Sequence, residues 1–226
     1  MIEVWEVDLA SASLPDAGCR ALLSSEELER ADRFHFHRDR RRFLLRRAAL
    51  RLWLAARLGV SPATLRFDTG PYGKPRLLEP VSGFEFNASA SGDRALLAAA
   101  HGSVGVDLEQ RRPLEPDLNA MISRLAPEER QTLMSLEASE RHLRFFDCWV
   151  RKEALVKAVG LGLSLSLETF EVPLMPSISR AAVRWPSDPV PGRLWRVTSL
   201  SPGDGWSGAV ATDQDAEVQI RRWTWP

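Results

Sequence analysis

Hydrophobic and polar positions alternate first one by one, then by threes and fours, and that change of period recurs along the chain. IEVWEV, near the N-terminus, alternates apolar and acidic residues, which puts the two kinds on opposite faces of a strand. Ser24 and Ser25 stand before ELERADRF, a run of helix formers, and are read as N-cap residues. From Arg38 to Leu58 the residues Phe43, Leu44, Leu50, Leu54 and Leu58 mark the core side of a long helix that stops at Gly59. SPATLRF reads as a short turn and a strand. DTGPYGKP is a loop with Gly or Pro at nearly every step. FEFNAS, RALLAAA and VGVDLE follow as three strands, and QRRPLEPDLN, polar and carrying two prolines, as a linker.

A second cycle begins there. Leu125–Leu136 reads as a helix opening at Pro127, and Arg141–Val159 as a longer one stopped by GLGL. Strands are predicted near Thr169–Val172, Ala182–Trp185, Leu194–Leu200, Ser207–Thr212 and Val218–Trp223. Pro173, Pro176, Pro186, Pro189 and Pro191 mark irregular connections between the first few. No residue-level repeat of fixed period is present, yet both halves run helix first and then mostly strands. The predicted fold class is therefore α+β, in two similar halves, residues 1–110 and 111–226. Each is a long helix on a mostly antiparallel sheet, and the cleft between halves is the expected place for a site.

Composition narrows the function. In 226 residues, Lys+Arg and Asp+Glu both number 30, so the formal net charge is zero. The basic excess of a general nucleic-acid binder is missing. Arginines crowd between Glu29 and Arg51, which suggests a local anion site. The two cysteines, Cys19 and Cys148, lie far apart without a partner pattern, which argues against a disulfide framework or a zinc site. MIEVWEVDLA lacks a basic start and an apolar run, and no apolar stretch is long enough to span a bilayer. A soluble, cytoplasmic protein is expected.

The candidate chemistry sits in GVDLEQ. Asp107 and Glu109, two residues apart on a strand, point to the same face and repel each other. Something must offset that repulsion. In WVRKEALVKAVG, Trp149, Glu153 and Lys157 are spaced i, i+4, i+8 and share one helix face. Read alone, D-x-E is a pair of exposed acids and Glu153–Lys157 an ordinary surface pair. If Glu153 faces Asp107 and Glu109, the three carboxylates form an oxygen-rich cluster suited to a hard cation such as Mg²⁺. Lys157 would then hold a phosphate.

Together these blocks resemble the 4'-phosphopantetheinyl transferase superfamily, Sfp type. Its pattern is G-[IV]-D-x-E on a strand, then [FW]-x-x-K-E-[AS]-x-x-K on a helix. The match holds at Gly105, Asp107, Glu109, Trp149, Lys152, Glu153, Ala154 and Lys157. YGKP upstream and GLGLSLSLETFEV downstream share the family's look. The resemblance implies Mg²⁺-dependent transfer of the 4'-phosphopantetheine arm of coenzyme A to a serine of an acyl or peptidyl carrier protein, releasing 3',5'-ADP. It implies Asp107, Glu109 and Glu153 as metal ligands, with Asp107, Glu153 and Lys157 as the catalytic set and Glu153 as general base. For coenzyme A it implies Arg30 and Arg42 at the 3'-phosphate, Gly73, Lys74 and Pro75 along the adenine and a phosphate, and Ser89, position 90 and Lys157 at the phosphates. The family block N-x-S-H-S-G reads FNASASGD here, so Ala90 stands in place of the histidine. Glu27 sits where some relatives place a lysine. Ala90 leaves open an alternative, a coenzyme A-binding relative with weakened or lost turnover. The expected partners are coenzyme A and the carrier protein, docked around Arg111–Leu125, with neither nucleic acid nor membrane. A monomer is expected, because the two halves already supply both walls of the cleft.

Overall fold

The computed structural model describes residues 1–80, 83–114, 116–174, 179–189 and 192–226. In chain order its elements are β1 (Ile2–Asp8), α1 (Asp16–Leu22), α2 (Ser25–Asp32), α3 (His37–Leu58), β2 (Arg66–Thr69), β3 (Pro75–Glu79), β4 (Glu85–Ser91), β5 (Arg94–Ala100) and β6 (Val104–Gln110). Then follow α4 (Leu118–Ile122), α5 (Pro127–Ser135), α6 (Ala138–Val159), β7 (Arg180–Ala182), β8 (Arg196–Leu200), β9 (Trp206–Thr212) and β10 (Val218–Arg222).

Two four-stranded sheets form, in the orders β10-β1-β5-β4 and β6-β9-β8-β7, with β2-β3 as a separate hairpin. Every pairing is antiparallel except β1 with β10, which run parallel. The strand periodicity decides which residues enter which core. Ala95, Leu97 and Ala99 of β5 pack under α3 with Phe43, Leu44 and Leu54. Their neighbours Leu96, Ala98 and Ala100 face the second sheet and meet Val104, Val106, Leu108 and Val210. This explains why RALLAAA is apolar at nearly every position: it is covered on both faces. The outer face of the second sheet, with Val197, Ala209 and Ala211, packs on α6 through Phe145, Ala154 and Leu155. The layers run helix, sheet, sheet, helix.

The two long helices and their glycine stops form where predicted, and the Ser24 cap is completed by Glu27 in a capping box. Other expectations need correction. The expected strand at Thr169–Val172 is a 3₁₀ turn, Leu167–Thr169, followed by one bridge between Glu171 and Arg184. The strand placed at Ala182–Trp185 is instead Arg180–Ala182, and Leu194 lies before β8 rather than within it. The prolines that follow Val172 and Trp185 leave no run of free N–H groups for a longer ladder. The linker from Gln110 ends in the first turn of α4. Glu115 of that linker, and the connections expected at Pro176 and Pro191, lie outside the described residues.

β6 was grouped with the first half in sequence, and it pairs with β9 in the second sheet. β10, from the second half, pairs with β1 in the first. Edge strands β4 and β6 lie side by side without a shared ladder, and the candidate site grows from that seam.

Candidate active site

Gly105 brings the strand to the helix. A Cβ built on it would fall 2.2 Å from the Ala154 carbonyl oxygen and 2.3 Å from the Ala158 nitrogen. Only a residue without a side chain lets the β6 backbone rest directly on α6 at that point. The next residue on this face, Asp107, then lands beside Lys157, whose Nζ lies 2.6 Å from Asp107 Oδ1. Ser89 Oγ donates to the same carboxylate oxygen at 2.8 Å and accepts from Lys157 Nζ at 3.0 Å. Asp107 is buried, and its other oxygen, Oδ2, has no hydrogen-bond partner among the described residues.

Three residues of β4 stitch the two edge strands together. Asn87 Oδ1 accepts from the Val106 N–H at 2.9 Å, Ser89 meets Asp107, and Ser91 Oγ donates to Glu109 Oε2 at 2.9 Å while accepting from the Gln110 N–H. Period two puts Asn87, Ser89 and Ser91 on one face of β4. Ala90 is on the other, half-buried against the first core.

The three acids predicted to act together feel one another. Burial pushes the Glu153 carboxyl above its ordinary value, and Asp107 and Glu109 push the same way while Lys157 opposes them. Burial also raises Glu109, aided by Asp107 and opposed by Ser91, Lys157 and Arg112. In this arrangement the Lys157 ammonium offsets the Asp107 charge. Among the described residues, no group of three or more His, Cys, Asp and Glu side chains is placed to hold a metal ion.

A cleft of about 550 Å³ opens beside this cluster. Glu153, Lys157 and Trp149 of α6 form one wall, Tyr72, Gly73, Lys74 and Pro75 another, with Asn87 and Ala88 between them. The YGKP loop is tied to the end of α6. Lys74 Nζ donates to the Ala158 carbonyl at 3.0 Å and meets Glu85 at 2.8 Å, and its side chain lies over Gly160, where φ is +80°. The remaining wall, Leu165–Glu168, is anchored from beneath. Lys152, fully buried, reaches Glu129 at 2.7 Å and the carbonyls of Leu167 and Phe170 at 2.8 and 2.6 Å.

The structure thus gathers Asp107, Glu153, Lys157, Ser89, Gly73, Lys74 and Pro75, with Glu109 bound to Ser91 at the margin. It places Arg30 and Arg42 elsewhere. Arg30 lies over the Phe43 ring, and Arg42 is held by Asp93 through two bonds of 2.7 and 2.8 Å; neither lines the cleft. Sequence reasoning did not give Asn87, Ser91 or Glu129 a role. The alternation N-x-S-x-S was the available signal for the first two. Glu129 is paired only through tertiary packing.

A family model described as the 4'-phosphopantetheinyl transferase superfamily matches residues 103–211, and a model of the N-terminal part of 4'-phosphopantetheinyl transferases matches residues 17–102. The chain is 36% identical to 4'-phosphopantetheinyl transferase HetI of Nostoc sp., over 93% of this chain and 86% of that one. It is 37% identical to a putative 4'-phosphopantetheinyl transferase of Synechocystis sp., over 87% and 78%. With 4'-phosphopantetheinyl transferase Sfp of Bacillus subtilis it shares 29% over 68% and 67%.

Proposed function

Because the chain belongs to the 4'-phosphopantetheinyl transferase superfamily, we propose that it moves the 4'-phosphopantetheine arm of coenzyme A onto a serine of an acyl or peptidyl carrier protein, acting as a monomer in the cytoplasm. A bond forms between the serine oxygen and the β-phosphorus of coenzyme A, the bond from that phosphorus to the bridging oxygen breaks, and 3',5'-ADP leaves. The observation that carries this reading is the contact of β6 with α6. It sets Asp107 and Lys157 against each other on the floor of a cleft whose far wall is the Gly73–Pro75 loop.

Glu153, its carboxyl raised by burial and by Asp107, is suited to take the serine proton. Lys157 and Lys74 present ammonium groups to the diphosphate, and Ser89 fixes the position of Lys157. The donor set fits a hard divalent cation. Asp107 Oδ2 is buried without a partner, and Asp107 and Glu109 both push the Glu153 carboxyl up. Asp107, Glu109 and Glu153 would hold Mg²⁺, which when bound supplies charge neutralisation at the diphosphate oxygens. Arg30 and Arg42 remain assigned to the 3'-phosphate; for Arg42 that requires release from Asp93. The carrier docks along Arg111–Leu125, where Arg124 reaches the cleft.

The test is the mass of an apo-carrier protein after incubation with coenzyme A and Mg²⁺. A gain of one phosphopantetheine group is expected, and Asp107→Ala abolishes it while the fold persists. No gain on any of a panel of fatty-acid, polyketide and nonribosomal-peptide carriers, or full transfer by Asp107→Ala, would overturn the reading.

A further inference from the structure

Asn87 is 5% exposed, yet it lines the cleft. Its carboxamide has two different ends, one that accepts and one that donates. Edge strand β6 turns the Val106 N–H away from β9, and a buried backbone donor requires an acceptor. Asn87 Oδ1 supplies it at 2.9 Å. That bond fixes the orientation of the amide, because Nδ2 cannot accept. With Oδ1 committed to β6, Nδ2 is left with no hydrogen bond among the described residues, and it is not sealed from solvent. The side chain is almost wholly buried, so it is rigid, and its free donor opens where the cleft is bounded by Lys157 on one side and Gly73–Pro75 on the other.

A rigid, uncharged NH₂ group between a lysine and a glycine-bearing loop is a directional donor. It complements an acceptor atom that two ammonium groups would hold less selectively. We propose that Asn87 is a substrate-binding residue, whose Nδ2 donates a hydrogen bond to the nucleotide–diphosphate portion of coenzyme A while Oδ1 holds β6 in register. The proposal rests on the transferase reading and adds to it a residue with two tasks, one on each end of its amide.

Asn87→Asp separates the tasks. A carboxylate oxygen still accepts from Val106, but the second oxygen cannot donate. The measurements are dissociation constants for coenzyme A and for 3',5'-ADP by calorimetry, a thermal melt, and KM for coenzyme A against KM for the carrier. Ala88→Asp, also in the cleft, controls for the added negative charge. Asn87→Asp is expected to melt with the wild type, to bind both nucleotides about ten- to hundredfold more weakly, and to raise KM for coenzyme A but not for the carrier. Ala88→Asp should weaken binding much less. Unchanged affinity in Asn87→Asp, equal weakening in both variants, or weakened coenzyme A with unaltered 3',5'-ADP would each overturn the assignment. The binding arms need no carrier, so a wild type that binds coenzyme A yet transfers nothing refutes the transferase reading alone. A wild type that binds no coenzyme A refutes both.

Discussion

Glu27 shows how a single side chain can trade one role for another. It caps α2 at Ser24 and is gripped by Arg47 and by the buried Arg51 at 2.7 Å. Burial alone would raise its carboxyl; Arg47, the Ser24 N–H and Arg51 outweigh that and hold it below its ordinary value. The folded state therefore binds this proton less readily than the unfolded chain. The resulting stability is present above the unfolded value and is lost as pH falls through the lower folded one. Glu27→Gln should cost about 1–3 kcal/mol near neutrality, with the gap to wild type closing below about pH 4 in melts taken across pH. Glu153 belongs to the same scale. If it takes the serine proton, Glu153→Gln should lower kcat by about 10²- to 10⁴-fold in carrier transfer, with the melt preserved. Cys19 and Cys148 are free and buried, and burial raises both thiols. Neither should react with iodoacetamide until the protein is unfolded, which the mass of the labelled protein reports.

Among elements, β6 and α6 carry the site, and their contact depends on Gly105. Gly105→Ala would drive a methyl group into helix backbone, which cannot swing aside as a side chain can. A loss of about 2–4 kcal/mol is expected, with transfer reduced by more than the melt explains because Asp107 is pushed away from Lys157. Denaturant titration beside carrier transfer checks both. Strong local signals made these two elements legible in sequence: GVDLE alternates, and α6 runs for 22 residues to a glycine stop. Weak signals hid others. Pro15 and Gly18 disguise α1, β3 begins at a proline inside a turn-like run, and α4 is five residues long behind Pro113 and Pro116. The site divides the same way. Asp107, Glu153 and Lys157 could be paired from motif and resemblance. That Lys152 of the same motif is consumed by Glu129 and two carbonyls was invisible, because its partners come from α5 and from a turn that no local pattern places.

For the whole molecule, the decisive feature is the return of β10 to β1. Trp223 donates its N–H to the Glu6 carbonyl at 2.8 Å and packs its ring edge-on to Trp5, and Trp225 Nε1 donates to the Asp8 carbonyl at 2.8 Å. Removing residues 218–226 would uncover the edge of β1 and these rings together. The shortened protein should melt at lower temperature and aggregate, while a point change at exposed Gln219 should do neither; light scattering during a thermal ramp distinguishes them. The same feature sets an order for synthesis on the ribosome. Residues 104–212 contain every strand of the second sheet, so that sheet can close as soon as they emerge. The first sheet, begun at Ile2, has its β1 edge open until residues 218–222 follow. The portion translated first must therefore remain unfinished, one strand short, throughout translation of the portion that carries Asp107 and Glu153, and its exposed edge is where a nascent-chain chaperone would find something to hold.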